Sequence, residues 1–132
     1  MTRTNRVVVD SWAWVEYLRG SKAGKKVEQR ISRGDELWTS VVTLTEVVSK
    51  YRREGVAEDT AIEAISSLSR IGIPDREDAI EAGRVHAQVK SGSPNFGLAD
   101  SFVLRLARKV GATVLTGDPD FRGLAEAEFI GP

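Results

Sequence analysis

Four carboxylates stand where they could do chemistry together. Asp10 directly follows the apolar run Val7-Val8-Val9, and Asp118 follows Val114-Leu115-Thr116-Gly117. Asp100 opens the segment 98–110, with Val103, Leu104 and Ala107 three, four and seven residues on, so it heads an apolar helix row and points inward. Glu46 is the only charge in the run 41–48 of apolar residues and threonines. A carboxylate held against a core needs a cation or a hydrogen-bond donor. Each residue alone has a plainer role: an N-cap or turn for the aspartates, a favourable charge in the first turn of a helix for Asp100, an ion pair with Lys50 for Glu46. Together they make an all-oxygen site suited to Mg²⁺ or Mn²⁺. Their mutual repulsion makes the cluster unfavourable until cations enter or some groups protonate. The chemistry implied is phosphodiester hydrolysis, in which a metal activates water and neutralises charge at phosphorus.

The elements that must position these residues alternate between short apolar runs and helical patterns. Strands are expected at 7–9, 36–40, 71–73 and 112–115, with a short last one at 128–130. Helical periodicity covers 11–19, 22–33, 42–53, 57–70, 75–90 and 98–110, with Gly20, Gly34, Gly55 and Gly111 as stops. Alternation of this kind builds a parallel sheet covered by helices. The expected class is α/β, three layers around a central parallel sheet of four to five strands. Ligands of open parallel sheets bind beyond the carboxyl ends of the strands. Asp10 and Asp118 fall there.

The chain of 132 residues fits one domain spanning 1–132. It contains no cysteine, which excludes disulfides and thiolate metal sites and suits a reducing cytoplasm. The apolar runs are too short to span a bilayer, and Asp10 ends the first one too early for a signal-peptide core. Lys plus Arg and Asp plus Glu both number 19, a balance that argues against binding nucleic acid by bulk charge. It leaves room for a nuclease whose metal supplies positive charge to the phosphate.

Four segments, in order over nearly the whole chain, resemble the motifs of PIN-domain ribonucleases, in particular VapC-type toxins. They are Val8-Val9-Asp10-Ser11-Trp12-Ala13-Trp14-Val15-Glu16-Tyr17-Leu18-Arg19-Gly20, Thr39-Ser40-Val41-Val42-Thr43-Leu44-Thr45-Glu46-Val47, Leu98-Ala99-Asp100-Ser101-Phe102, and Val114-Leu115-Thr116-Gly117-Asp118-Pro119-Asp120-Phe121. The resemblance implies a PIN-like fold and an Mg²⁺- or Mn²⁺-dependent endoribonuclease with Asp10, Glu46, Asp100 and Asp118 as catalytic, metal-holding acids. Thr116 falls at the hydroxyl position that helps hold the site, Ser11 lies beside the first acid, and Asp120 matches a more variable acidic position. The implied partners are an RNA substrate, a cognate antitoxin that lays Arg or Lys into the acid cluster, and a second copy in a homodimer. Trp12 departs from the pattern, because smaller residues are common there.

Other readings make distinct demands. An aspartyl-nucleophile phosphohydrolase wants a second acid two residues after the first, where Trp12 stands. A phospho-receiver wants its acceptor after a central third strand, where Pro74 and Asp75 stand. A PIN-like scaffold that binds RNA or protein without cleaving has no need of four acids. His86, the only histidine, has no partner at metal-ligand spacing, and the basic helix at 22–33 reads as a solvated face that could also guide RNA. The loop 91–97 has no strand before it and is no phosphate-binding loop. Trp12, Trp14 and Tyr17 combine core anchors with a possible wall for a partner.

Overall fold

The structure, a computed structural model, describes residues 5–131. The start of the N-terminal segment, residues 1–4, and residue 132 lie outside the described residues. Strand β1 (Arg6–Val9) lies at the centre of a five-stranded, all-parallel sheet with β2 (Glu36–Ser40), β3 (Arg70–Gly72), β4 (Thr113–Thr116) and β5 (Ala127–Phe129), in the order β3-β2-β1-β4-β5. Val7 and Val9 enter one core and Val8 the other, as the two-residue period of a strand requires. A strand buried on both faces reads as a continuous β-branched run, which is how 7–9 reads.

On one face lie α1 (Ser11–Arg19), α2 (Gly24–Ser32), α3 (Val41–Arg53) and α4 (Asp59–Leu68), contributing Trp14, Val27, Val47 and Ile65 to the first core. On the other lie α5 (Arg76–Lys90) and α6 (Leu98–Val110), whose Val85, Val103 and Leu104 pack with Phe96 and Phe121. The result is the expected three layers, with the full five strands. From β1 to β3 the chain steps outward on one side, then crosses to β4 on the other. The order reverses between β1 and β4, so a crevice opens beyond their carboxyl ends.

Two polar devices fix the helices that carry the acids. The buried Trp14 indole N–H donates to Thr39 Oγ1 at 3.0 Å; that hydroxyl meets Ser69 Oγ at 2.7 Å, which donates to the Ile65 carbonyl. This chain ties α1 to β2 and α4 with every buried donor used. On the opposite face Asp78, which closes a capping box with Asp75, accepts from Arg105 Nε at 3.0 Å and Lys109 Nζ at 2.9 Å. Arg105 and Lys109 therefore clamp α6 to α5. The paired cations and the backbone donor hold the Asp78 carboxyl well below the usual carboxylate range.

Element ends differ from expectation by one or two residues, for local reasons. Helix α2 begins at Gly24, not Lys22, because the Ser21 hydroxyl accepts from the Gly24 N–H at 3.0 Å and the preceding Gly20 is left-handed, φ 66°. A Cβ at Gly24 would overlap the backbone of Glu16, so only glycine lets α2 cross α1 so closely. Helix α4 runs Asp59–Leu68, shorter than 57–70, because Ser69 is extended and joins the Thr39 network. Strand β3 ends at Gly72, which pairs Ser40, leaving Ile73 75% exposed before Pro74. Strands β4 and β5 sit one residue away from 112–115 and 128–130, each shifted as a unit.

Candidate active site

The switch point of the sheet is where the acids gather. Asp10 leaves β1 and caps α1, its Oδ1 accepting from the Ala13 N–H at 2.8 Å. It is 4% exposed. Burial, opposed by hydrogen bonds from Thr116 and Ala13 and reinforced by the charges of Asp118 and Asp100, pushes its pKa up to about 7. Thr116, fully buried at the end of β4, joins the two strand ends: its hydroxyl serves the Asp10 carboxylate and accepts from the Asp118 N–H at 2.9 Å.

Asp118 leaves β4 and starts a single 3-10 turn, Pro119–Phe121, its Oδ1 accepting from the Asp120 N–H at 2.9 Å. That turn swings Asp120 back over the site. Asp100, in the first turn of α6, accepts from the Gly97 N–H at 2.9 Å and is half-buried above Val103, Leu104 and Ala107, as its helix row demanded. Carboxylate oxygens of Asp100, Asp118 and Asp120 lie within 4.8 Å of one another. Burial, then the neighbouring carboxylates, raise the pKa values of Asp100 and Asp120; for Asp100 the Gly97 N–H works against that rise.

Glu46 reaches the site from α3. It is an exposed residue facing the cleft rather than the core carboxylate expected from its run. Partial burial and the charges of Asp100 and Asp118 raise its pKa, and a hydrogen bond with Ser11 lowers it. The alternative partner, Lys50, is engaged elsewhere, at 2.9 Å from Glu54. His86 stacks against Phe96 at 6.4 Å, an edge position consistent with its exclusion from the site.

All seven residues singled out from the sequence thus meet at one edge of the sheet. The emphasis shifts in one respect: the tightest group contains Asp120, which the sequence ranked below the other acids, and not Asp10 or Glu46. Arg19 and Arg53 went unremarked in that reading. A cleft of about 330 Å³ in front of Glu46 and Asp118 is lined also by Trp12, Arg19, Lys50 and Arg53. The sequence read Lys50 only as a partner for Glu46 and gave no role to Arg19 or Arg53. Trp14, by contrast, is wholly buried and offers no wall to a partner.

A parallel sheet with acids at its switch point defines a class, and the sequence agrees with it: residues 7–127 match the PIN domain family, to which the chain belongs. Solved structures share the fold at low identity. A toxin–antitoxin complex from Klebsiella pneumoniae aligns over 94% of this chain and 97% of that chain, at 14% identity and a TM-score of 0.70. VapC20 of Mycobacterium tuberculosis, described as a sarcin–ricin loop cleaving toxin, aligns over 92% and 97%, at 20% identity and 0.72. VapBC2 of Rickettsia felis, bound to a DNA fragment from its promoter, aligns over 94% and 96%, at 11% and 0.71. No curated protein matches the sequence. Among the described residues no helix is long and apolar enough to cross a membrane.

Proposed function

We propose that residues 1–132 form a single PIN domain acting as a metal-dependent endoribonuclease, the toxin of a type II toxin–antitoxin pair. The observation that carries the reading is the convergence of Asp100, Asp118 and Asp120 within 4.8 Å, beside a buried Asp10. Such a set is all oxygen and already strained by its own charge, which fits a hard divalent cation, Mg²⁺ or Mn²⁺. Asp10, Asp100, Asp118 and Glu46 would hold the ion, with Asp120 in reach. When bound, it supplies an activated water and positive charge for the phosphate.

The chain's own groups do the rest. Thr116 holds Asp10 and Asp118 in register across the two strand ends. Gly97 orients Asp100. Glu46, exposed to the cleft from α3, completes the set of carboxylates that would hold the ion. Ser11 orients that carboxylate.

The same negative cleft suits a cationic inhibitor. An antitoxin segment presenting Arg would meet paired carboxylate oxygens with paired N–H donors and compete with the cation. Antitoxin complexes among the structural neighbours support this reading, and a homodimer working in the cytoplasm accompanies it. Incubation with structured RNA and Mg²⁺ or Mn²⁺, with a chelator control, tests the activity. Cleavage that the chelator stops is expected; intact RNA with both metals overturns the proposal. Co-purification with the product of an adjacent gene tests the partner, and a bound neighbour that leaves cleavage undiminished at saturation overturns the inhibitory role.

A further inference from the structure

Trp12 is the residue that the family pattern does not explain. It stands two residues after Asp10, in the first turn of α1, and is half-buried. The benzene side of its indole lies against bare backbone. A Cβ on Gly117 would overlap the ring, and one on Gly131 would come within 2.8 Å of it. Gly117 directly precedes Asp118, so the ring is seated on the turn that carries an acid of the site. The remainder of the side chain lines the cleft shared with Glu46 and Asp118.

Its nitrogen is as informative as its ring. Trp14 Nε1 donates to Thr39 and Trp38 Nε1 to Glu36, each at 3.0 Å or less. Among the described residues Trp12 Nε1 has no such partner and is not buried, so it remains a free donor. An aromatic plane fixed by packing, with a spare donor, opens onto a polar cleft.

The cleft also holds cations. Arg19, Lys50 and Arg53 line it. Arg19 is held only loosely, 3.8 Å from Glu16, and Arg53 contacts the Ser49 hydroxyl with no carboxylate within 4.0 Å among the described residues. Lys50 pairs with Glu54 at 2.9 Å, and Glu16 lines the cleft beside these cations, so three basic residues share one cleft with Glu46 and Asp118. Acids that take a metal, a fixed ring, and cations in succession match one ligand. They suit a scissile phosphate, an unpaired base beside it, and the phosphates that follow.

We infer that Trp12 is a specificity-determining residue: a stacking platform for an unpaired nucleobase next to the scissile phosphate, with Arg19, Lys50 and Arg53 tracking the adjoining backbone. The inference rests on the ribonuclease reading for the nature of the strand. A fully paired duplex does not present a base face to the ring, so the platform selects loops and single strands. The ring is already ordered by Gly117 and Gly131, and little side-chain freedom is lost on binding.

Binding is measured separately from cleavage, on the full chain in Ca²⁺, which takes the same oxygen ligands at longer distances. The probes are an end-labelled unpaired oligoribonucleotide of mixed sequence and a fully paired hairpin stem. Trp12→Leu keeps apolar bulk without a π-face and should weaken binding of the unpaired probe about ten-fold, while Trp12→Phe stays within roughly three-fold of the parent. Unpaired RNA should also quench indole emission, and that quenching should vanish in Trp12→Phe, where Trp14 and Trp38 remain.

Equal binding by parent and Trp12→Leu, both melting alike, overturns the inference, as does equal affinity for stem and unpaired probe. If Trp12→Leu fails to fold, the emission arm decides: no RNA-dependent quenching, or quenching that survives in Trp12→Phe, overturns it. A co-purified protein that quenches Trp12 where RNA does not would also overturn it. Trp12-dependent binding without cleavage in Mg²⁺ or Mn²⁺ supports the platform while ending the ribonuclease reading, which keeps the two failures apart.

Discussion

The acids differ in what they are asked to do, and their surroundings say how. Asp118 and Asp100 lie in the cluster that faces the cleft, so Asp118→Asn or Asp100→Asn should abolish metal-dependent RNA cleavage with the fold intact, since the amide keeps shape and loses charge. Full activity in a well-folded variant, with contaminating nuclease excluded, counts against the mechanism. Asp10 is the buried one. Folded, it keeps its proton up to about pH 7; unfolded, it releases it near 3.8. In the metal-free protein its contribution to stability is therefore complete below about pH 4 and is lost progressively as pH rises to about 7, by an amount on the order of a few kcal/mol. Asp10→Asn, which keeps an oxygen acceptor for Ala13, should gain stability over the parent across that window and hold the gain at pH 8. Urea titrations with chelator at pH 4, 6 and 8 check this, and a less stable variant at pH 8 refutes it. Residue by residue, legibility followed locality. Asp10 and Asp118 were readable because buried strands announce their own ends, and Asp100 because its apolar row fixes a direction. The closeness of Asp120 to Asp100 and Asp118 was not legible, because it depends on a 3-10 turn closed by Asp118 itself. The exposure of Glu46 followed from the cleft between α1 and α3, which no neighbour in sequence encodes.

Helices and strands were mostly legible, and where their limits moved a side chain or a register was responsible. The run Val7-Val8-Val9 declared a central strand, and Asp75 declared the start of α5, where it forms a capping box. The start of α2 was hidden, since Ser21 rather than Lys22 sets it. The crossing of α1 and α2 rests on Gly24, which packs against the Glu16 backbone. Backbone atoms have no rotamer to yield, so Gly24→Ala should force the helices apart and cost roughly 1–3 kcal/mol or more, read as a lower urea midpoint at unchanged slope. A midpoint equal to the parent's would show that the two helices separate freely. The clamp of Arg105 and Lys109 on Asp78 was invisible beforehand, because it joins residues 27 and 31 positions apart on helices whose relative rotation only the packed sheet decides.

For the molecule as a whole, the sheet divides the interior into two cores that share one set of strands. Ile65→Ala on one face and Leu104→Ala on the other should each cost about 2–5 kcal/mol, and both variants should still unfold in a single transition. Two separated transitions would mean the faces are independent. Metal acts on the same scale. Mn²⁺ should raise the melting temperature by binding the folded state and relieving carboxylate repulsion, and the rise should shrink in Asp118→Asn. Equal rises in both proteins would place the metal elsewhere. The strand order carries one more consequence. Among the described residues β4 is the fourth of five strands along the chain and the direct neighbour of β1 at the centre of the sheet, with Asp10 and Asp118 on either side of their junction. A chain emerging from the ribosome therefore holds only half of that junction until residues 113–118 are made, and it must close a loop of about a hundred residues to complete the pair. On the ribonuclease reading proposed above, a chain ended before residue 113 lacks Asp118 and should cleave no RNA.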